Sequence, residues 1–121
     1  MTKSLIENKM KEIQQIQQQI SMNSAQIESM NVRSKELEDA IKELKDTSED
    51  EIVYRAAGDI LIKERNLTKL MGKLEEDKDV INIRLKTLNK QQEALYEKYE
   101  ALQKEVVAIV NHDSNGKNTK A

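Results

Sequence analysis

The sequence has no cysteine, proline, phenylalanine or tryptophan, and only three glycines, three tyrosines and one histidine among its 121 residues. Without cysteine there is no disulfide framework and no thiolate metal site, and a cytoplasmic location is permitted. With aromatic residues at 2% of the chain, the large side chains that usually fill a globular interior are missing. No apolar run approaches the roughly 18 residues needed to span a bilayer, and Met1 to Glu7 lack the apolar stretch of a secretion signal. Excess charge of one sign is missing too: 20 basic and 22 acidic residues leave a formal charge of −2, which is no footprint for nucleic acid or an anionic membrane. What is present is 35% charged residues, with Ile, Leu, Met and Val spread thinly among Glu, Lys and Gln. That mixture suits long solvated helices carrying a narrow apolar stripe.

From Ser4 to Asp46 the apolar positions Ile6, Met10, Ile13, Ile16, Ile20, Ile27, Met30, Leu37, Ile41 and Leu44 step by three and four, the seam of a coiled coil. The two consecutive three-residue steps through Ile13 and Ile16 predict a local overwinding. Ser4 and Glu7 have capping-box spacing. A second seam runs through Leu67, Leu70, Leu74, Ile81, Leu85, Leu88, Leu95, Tyr99, Leu102, Val106 and Ile109, with Asn66 available as N-cap, so helices are expected over 4–46 and 66–110. At 1.5 Å per residue each would be roughly 65 Å long. Gly72 falls inside the second helix, where it should cost about 1 kcal/mol relative to alanine. Beyond Val110 the periodicity stops, and residues 111–121 read as a disordered tail.

Folding one seam back on the other about Gly58 pairs residues across a nearly constant numerical sum, such as Ile41 with Leu74, Ile27 with Leu88 and Ile16 with Tyr99. The polar seam residues Asn23 and Gln92 meet at one level, where two amides would penalise any slipped register. An antiparallel hairpin within one chain is therefore expected rather than a parallel dimer.

Between the arms, an acidic spacer over 46–51 precedes Ile52 to Glu64, where β-branched residues flank Gly58-Asp59. A β-hairpin over 52–64 fits this pattern, with Gly58 free to take positive φ. A continuous helix fits as well, since Ile52, Ala56 and Ile60 keep helical spacing and Ser48 with Glu51 imitates a capping box. If the segment is a hairpin, Ile60, Leu61 and Ile62 place apolar groups on both of its faces, and one two-stranded hairpin cannot cover both. Several would have to join edge to edge, which makes assembly with other chains an expectation.

The run Val53, Tyr54, Arg55, Ala56, Ala57, Gly58, Asp59, Ile60, Leu61, Ile62, Lys63, set midway between two heptad arms, resembles the prefoldin β-subunit family. The hairpin of that family reads Val-Tyr-Lys/Arg-x-x-Gly-x-x-Leu/Ile-Val/Ile-Lys. The likeness in layout covers nearly the whole chain; the likeness in sequence is concentrated over 52–64. The resemblance implies a mainly α fold, a long antiparallel two-helix coiled coil whose connecting β-hairpin joins a β-barrel between subunits. It implies a heterohexamer with a prefoldin α-type subunit and further β-type subunits. The function implied is that of an ATP-independent holdase, which takes up unfolded client proteins at the coiled-coil tips and passes them to a group II chaperonin. On this chain the subunit interface would fall on Val53, Tyr54, Arg55, Gly58, Ile60, Leu61 and Ile62. The client surface would fall on Leu5, Ile6 and Met10 from one arm and Val106, Val107, Ile109 and Val110 from the other.

Each residue also has a plainer reading. The terminal apolar residues are also the last layers of a coiled coil, and Tyr54 and Arg55 are also a strand-favouring aromatic and a solvated charge. His112 lies in the polar tail, and the glutamines between Gln14 and Gln19 are punctuated by Ile13, Ile16 and Ile20 at seam spacing. No nucleophile with a partnered base, phosphate-cradling loop or convergent ligand set is evident, so no enzyme activity, cofactor or metal is expected. The rival reading is a structural coiled-coil tether or adaptor that zips with helices of another protein; its midsection would be helical.

Overall fold

The computed structural model describes residues 2–48 and 50–119, with the side chains of residues 114–119 left aside. The element order is α1 (Thr2–Lys45), β1 (Tyr54–Ala57), β2 (Ile60–Lys63) and α2 (Leu67–Thr119). The chain divides into two compact units, a terminal one of Met1–Ile27 with Thr87–Ala121 and a central one of Glu28–Lys86.

In the terminal unit α1 and α2 run antiparallel around a small core of Ile13, Ile16 and Leu102, with Ile20, Leu95, Tyr99 and Val106 packed against it. Polar contacts flank this core: Lys9 meets Glu105 at 2.6 Å, and Gln17 Nε2 donates to Tyr99 Oη at 3.2 Å. In the central unit the helices again pair antiparallel, Ser34 Oγ donating to Asn82 Oδ1 at 3.3 Å, and Leu37 and Ile41 are buried. The register anticipated by folding the seams on each other is the register found, to within one residue.

The seams themselves differ from expectation at one position. Lys9, not Met10, occupies the seam between Ile6 and Ile13: Met10 stands 52% exposed, whereas the Lys9 side chain is only 23% exposed. The steps through 6, 9, 13, 16 and 20 then alternate three and four without interruption, so no overwinding arises there. Hydrophobicity alone picks the methionine. A lysine fits because its aliphatic stem lies along the seam while its ammonium reaches the Glu105 carboxylate.

The hydrogen bond to Glu105 raises the Lys9 pKa above its ordinary 10.5, assisted by the charges of Glu105 and Glu12 and opposed by partial desolvation. A pKa raised in the folded state means that the pair's contribution is complete below 10.5 and is lost as pH rises through the folded value. Lys9→Leu, which completes the seam, is expected to raise the melting midpoint at pH 7 and to flatten the alkaline limb of stability above pH 10.5. Thermal unfolding followed by circular dichroism at both pH values checks this.

The helix ends also differ from the reading of the sequence. Thr2 is already helical, so Ser4 lies within the first turn and is not a cap. Helix α2 continues past Val110 to Thr119, where a disordered tail from 111 was expected; Lys120 and Ala121 fall outside the described residues. The end of the apolar stripe removes a packing face, but it does not stop propagation of a helix already nucleated, in a stretch without proline. The start of α2 is as anticipated: Asn66 Oδ1 accepts from the Lys69 N–H at 3.0 Å, an N-cap bond. A Cβ at Gly72 would meet nothing within 4 Å. Gly72→Ala is therefore expected to stabilise the chain by about 0.5–1 kcal/mol, read as a higher urea midpoint with unchanged m-value.

Candidate functional site

The segment left open between hairpin and helix is a hairpin. Strands β1 and β2 pair antiparallel with Tyr54 opposite Lys63, Arg55 opposite Ile62, Ala56 opposite Leu61 and Ala57 opposite Ile60. The two-residue turn is Gly58-Asp59, with Gly58 at φ +62° and Asp59 outside the positive region, the pattern of a type II′ turn. Beyond the strands the Glu64 N–H donates to the Val53 carbonyl at 2.8 Å, and Arg55 Nε lies 3.5 Å from Glu64 Oε2. A polar turn leads in from α1, where Ser48 Oγ donates to Glu51 Oε1 and the Glu51 N–H donates to the Ser48 carbonyl.

Alternation along the strands sends Tyr54 and Leu61 to one face of the hairpin and Ile60 and Ile62 to the other. All four are exposed, Leu61 at 69% and Ile60 at 66%, and each strand of a two-stranded sheet has a free backbone edge. Of the seven residues expected at an interface, Tyr54, Arg55, Ile60, Leu61 and Ile62 lie exposed on the strands and Gly58 makes the turn. Val53 is half-buried just before β1. Ile52, two residues before β1, is 63% exposed as well and was not picked out from the sequence. Two apolar faces and two unpaired edges left bare in one chain are a surface suited to pairing with further strands.

The second candidate surface lies in the terminal unit. Met10 and Val107, with Val106, Ile13 and Tyr99, line an open groove of about 740 Å³ rimmed by Lys11, Gln14, Gln17 and Gln103. Leu5 and Ile109 line a smaller one with Thr2, Ala108, His112 and Asp113. The expected client residues thus separate by burial. Leu5, Met10, Val107 and Val110 are about half exposed, whereas Ile6, Val106 and Ile109 are half-buried in the seam. Ile6 and Val110 line neither groove. Ile13 and Tyr99 were read only as seam residues, yet each shows one side to the larger groove. Gln17 and Gln103 both donate to Tyr99 Oη, at 3.2 and 2.8 Å, and hold the ring at the groove wall. The heptad positions next to the seam, occupied by Met10, Gln17 and Gln103, are the signal that would have found this wall.

Among the described residues no group of acidic, histidine or cysteine side chains is placed to hold a metal, and no helix is long and apolar enough to cross a membrane.

Two long helices joined through a small antiparallel hairpin define a long α-hairpin fold. The same fold is seen in the crystal structure of the prefoldin beta subunit from Thermococcus strain KS-1, with a TM-score of 0.76 at 22% identity over 86% of this chain and 90% of that one. The family profile described as "Prefoldin subunit" matches residues 7–112. The prefoldin subunit beta of Thermoplasma volcanium is 34% identical over 92% of this chain and 90% of its own length. That of Methanothrix thermoacetophila is 36% identical over 81% of each. The chain belongs to the prefoldin family, as a chaperone subunit of the β type. A prefoldin subunit acts within a complex that includes other subunits.

Proposed function

We propose that the chain works as an ATP-independent holdase: its hairpin builds the complex, and the grooves of its terminal unit hold non-native protein. The observation that carries this reading is that one two-stranded hairpin leaves Tyr54, Ile60, Leu61 and Ile62 exposed on its two faces; four further exposed apolar side chains, Leu5, Met10, Val107 and Val110, lie near the chain ends, while Met22, Val32, Val80, Ile83 and Tyr96 are scattered along the arms. The hairpin surface, Val53 to Ile62, joins the hairpins of a prefoldin α-type subunit and of further β-type subunits into a heterohexamer with a shared β-barrel. Edge pairing satisfies the free backbone groups, and the barrel interior covers one face. The ends take up client through Leu5, Ile6, Met10, Val106, Val107, Ile109 and Val110. Methionine and the frayed ends of a coiled coil adapt to irregular partners. A group II chaperonin in the cytoplasm then receives the client. No chemical step, nucleotide, nucleic acid or membrane enters this account.

The test is a dilution assay. A chemically denatured client is diluted into buffer with the assembled complex and light scattering is followed. Scattering should stay low at stoichiometric complex and be the same with and without ATP; aggregation at the rate of the bare client would overturn the holdase reading.

A further inference from the structure

In a chain of which 35% is charged, helix α1 carries no charged residue from Ile13 to Ile27, the longest such run in the sequence. Off the seam the stretch is built of Gln, Ser and Ala with one Met. Its outward crest is Gln15, Gln18, Met22 and Ala25, all exposed, Met22 at 64%. Helix α2 alongside is different, with Lys90, Glu93, Glu97, Lys98 and Glu100 exposed within residues 88–102. The crest lies between two grooves. The larger, with Gln14 and Gln17 on its rim, opens on one side of it; a second of about 390 Å³, between Gln19 and Asn23 of α1 and Ala94 and Leu95 of α2, opens on the other. Underneath, Gln92 ties the stretch to α2. Its Nε2 was expected to meet the amide of Asn23 and instead donates to the Ile20 carbonyl at 3.0 Å and to Ser24 Oγ at 2.8 Å.

We propose that residues 13–27 of α1 form a client-binding strip that takes extended polypeptide by its main chain, whatever the charge of the client's side chains. This inference rests on the holdase reading above and gives that surface its substrate class. Charged side chains on a helix face are costly to strip of water and repel a ligand of like sign. Amides and hydroxyls cost less to desolvate, and each glutamine both donates and accepts. The ligand group that matches is the peptide group, which also donates and accepts and is the same in every sequence. A folded partner keeps its peptide groups paired within itself, whereas an extended non-native segment presents them in a row. The strip is about 22 Å long at 1.5 Å per residue, room for about six or seven extended residues. Successive side chains of such a segment point to opposite sides, and the crest has a groove on either side to receive them.

The test uses the full chain assembled with a prefoldin α subunit. One variant combines Gln15→Glu, Gln18→Glu and Ala25→Glu, and a second combines Gln15→Lys, Gln18→Lys and Ala25→Lys. All three positions are exposed and line neither groove, and glutamate and lysine favour a helix as well as glutamine does. The charge-matched control combines Ser29→Glu, Asn31→Glu and Val32→Glu, exposed positions of α1 beyond the strip. Binding is read by fluorescence anisotropy of two labelled polypeptides without a fold, matched in length and apolar content, one acidic and one basic. At low salt the glutamate variant should bind the acidic probe about tenfold more weakly than the unaltered complex does, and the lysine variant should bind the basic probe more weakly to the same extent. High salt should close both gaps, and the control should bind as the unaltered complex does. Unchanged binding of both probes in both variants, or equal shifts in the control, would overturn the proposal. Loss of the assembled mass in both variants would overturn it too, by assigning the strip to a contact between subunits. An unaltered complex that binds neither probe would fault the holdase reading and this proposal with it.

Discussion

Gly58→Val is expected to abolish assembly of the chain with its partner subunits while leaving its helix content nearly unchanged. Gly58 sits at φ +62°, a conformation that a β-branched residue adopts only under strain of about 1–3 kcal/mol. A Cβ there would meet nothing within 4 Å, so no clash contributes and the effect isolates the backbone. An isolated two-stranded hairpin is marginal in water, and a penalty of that size is enough to unmake it. Asparagine tolerates the left-handed region far better, so Gly58→Asn should keep most of the assembly. Size-exclusion chromatography of both variants with an α subunit, beside their far-ultraviolet circular dichroism, checks the pair. A helical midsection, as a coiled-coil tether would have, predicts little change from either substitution.

The second large effect is expected in the terminal unit. Removing residues 1–10 and 106–121 should leave the complex assembled and abolish its suppression of client aggregation. A milder version separates surface from core. Leu5, Met10, Val107 and Val110 are about half exposed, so changing all four to serine takes little from the helix pair. It removes most of the exposed apolar area near the ends, at roughly 25 cal/mol per Å² of apolar surface that a client would otherwise cover. Suppression should be lost in the serine variant at unchanged complex mass. Undiminished suppression would move the client surface elsewhere, and loss of the complex in either variant would show that the ends also serve assembly.

How much of this was legible in the sequence depended on what kind of signal each residue carries. The seams were legible because Ile and Leu at three-four spacing have few other uses, and the antiparallel register followed from matching them. Lys9 was not, because a snorkelling lysine looks polar to any hydrophobic count and Met10 beside it looks better. The last turns of α2 were missed for a related reason: periodicity reports a packing face, and helix α2 outlasts its face. The hairpin was ambiguous on pattern, since Ile52, Ala56 and Ile60 satisfy a helix as well as a strand. The structure resolves it through the turn, where a glycine and an aspartate close two four-residue strands. The Gln92 layer was half legible. A buried amide was foreseeable from its seam position, but its partners depend on which way a side chain leans, and it reaches Ser24 and the Ile20 carbonyl rather than Asn23.

The role proposed for the bare hairpin of this 14.0 kDa chain, joining other hairpins, underlies the other predictions. Multi-angle light scattering of the purified chain, alone and after addition of an archaeal prefoldin α subunit, tests it most directly. The mixture should elute as one species with the mass of six subunits, and Gly58→Val should prevent it. A chain that stays apart from the α subunit at every ratio, with the mass it has alone, would show that the hairpin does not join subunits.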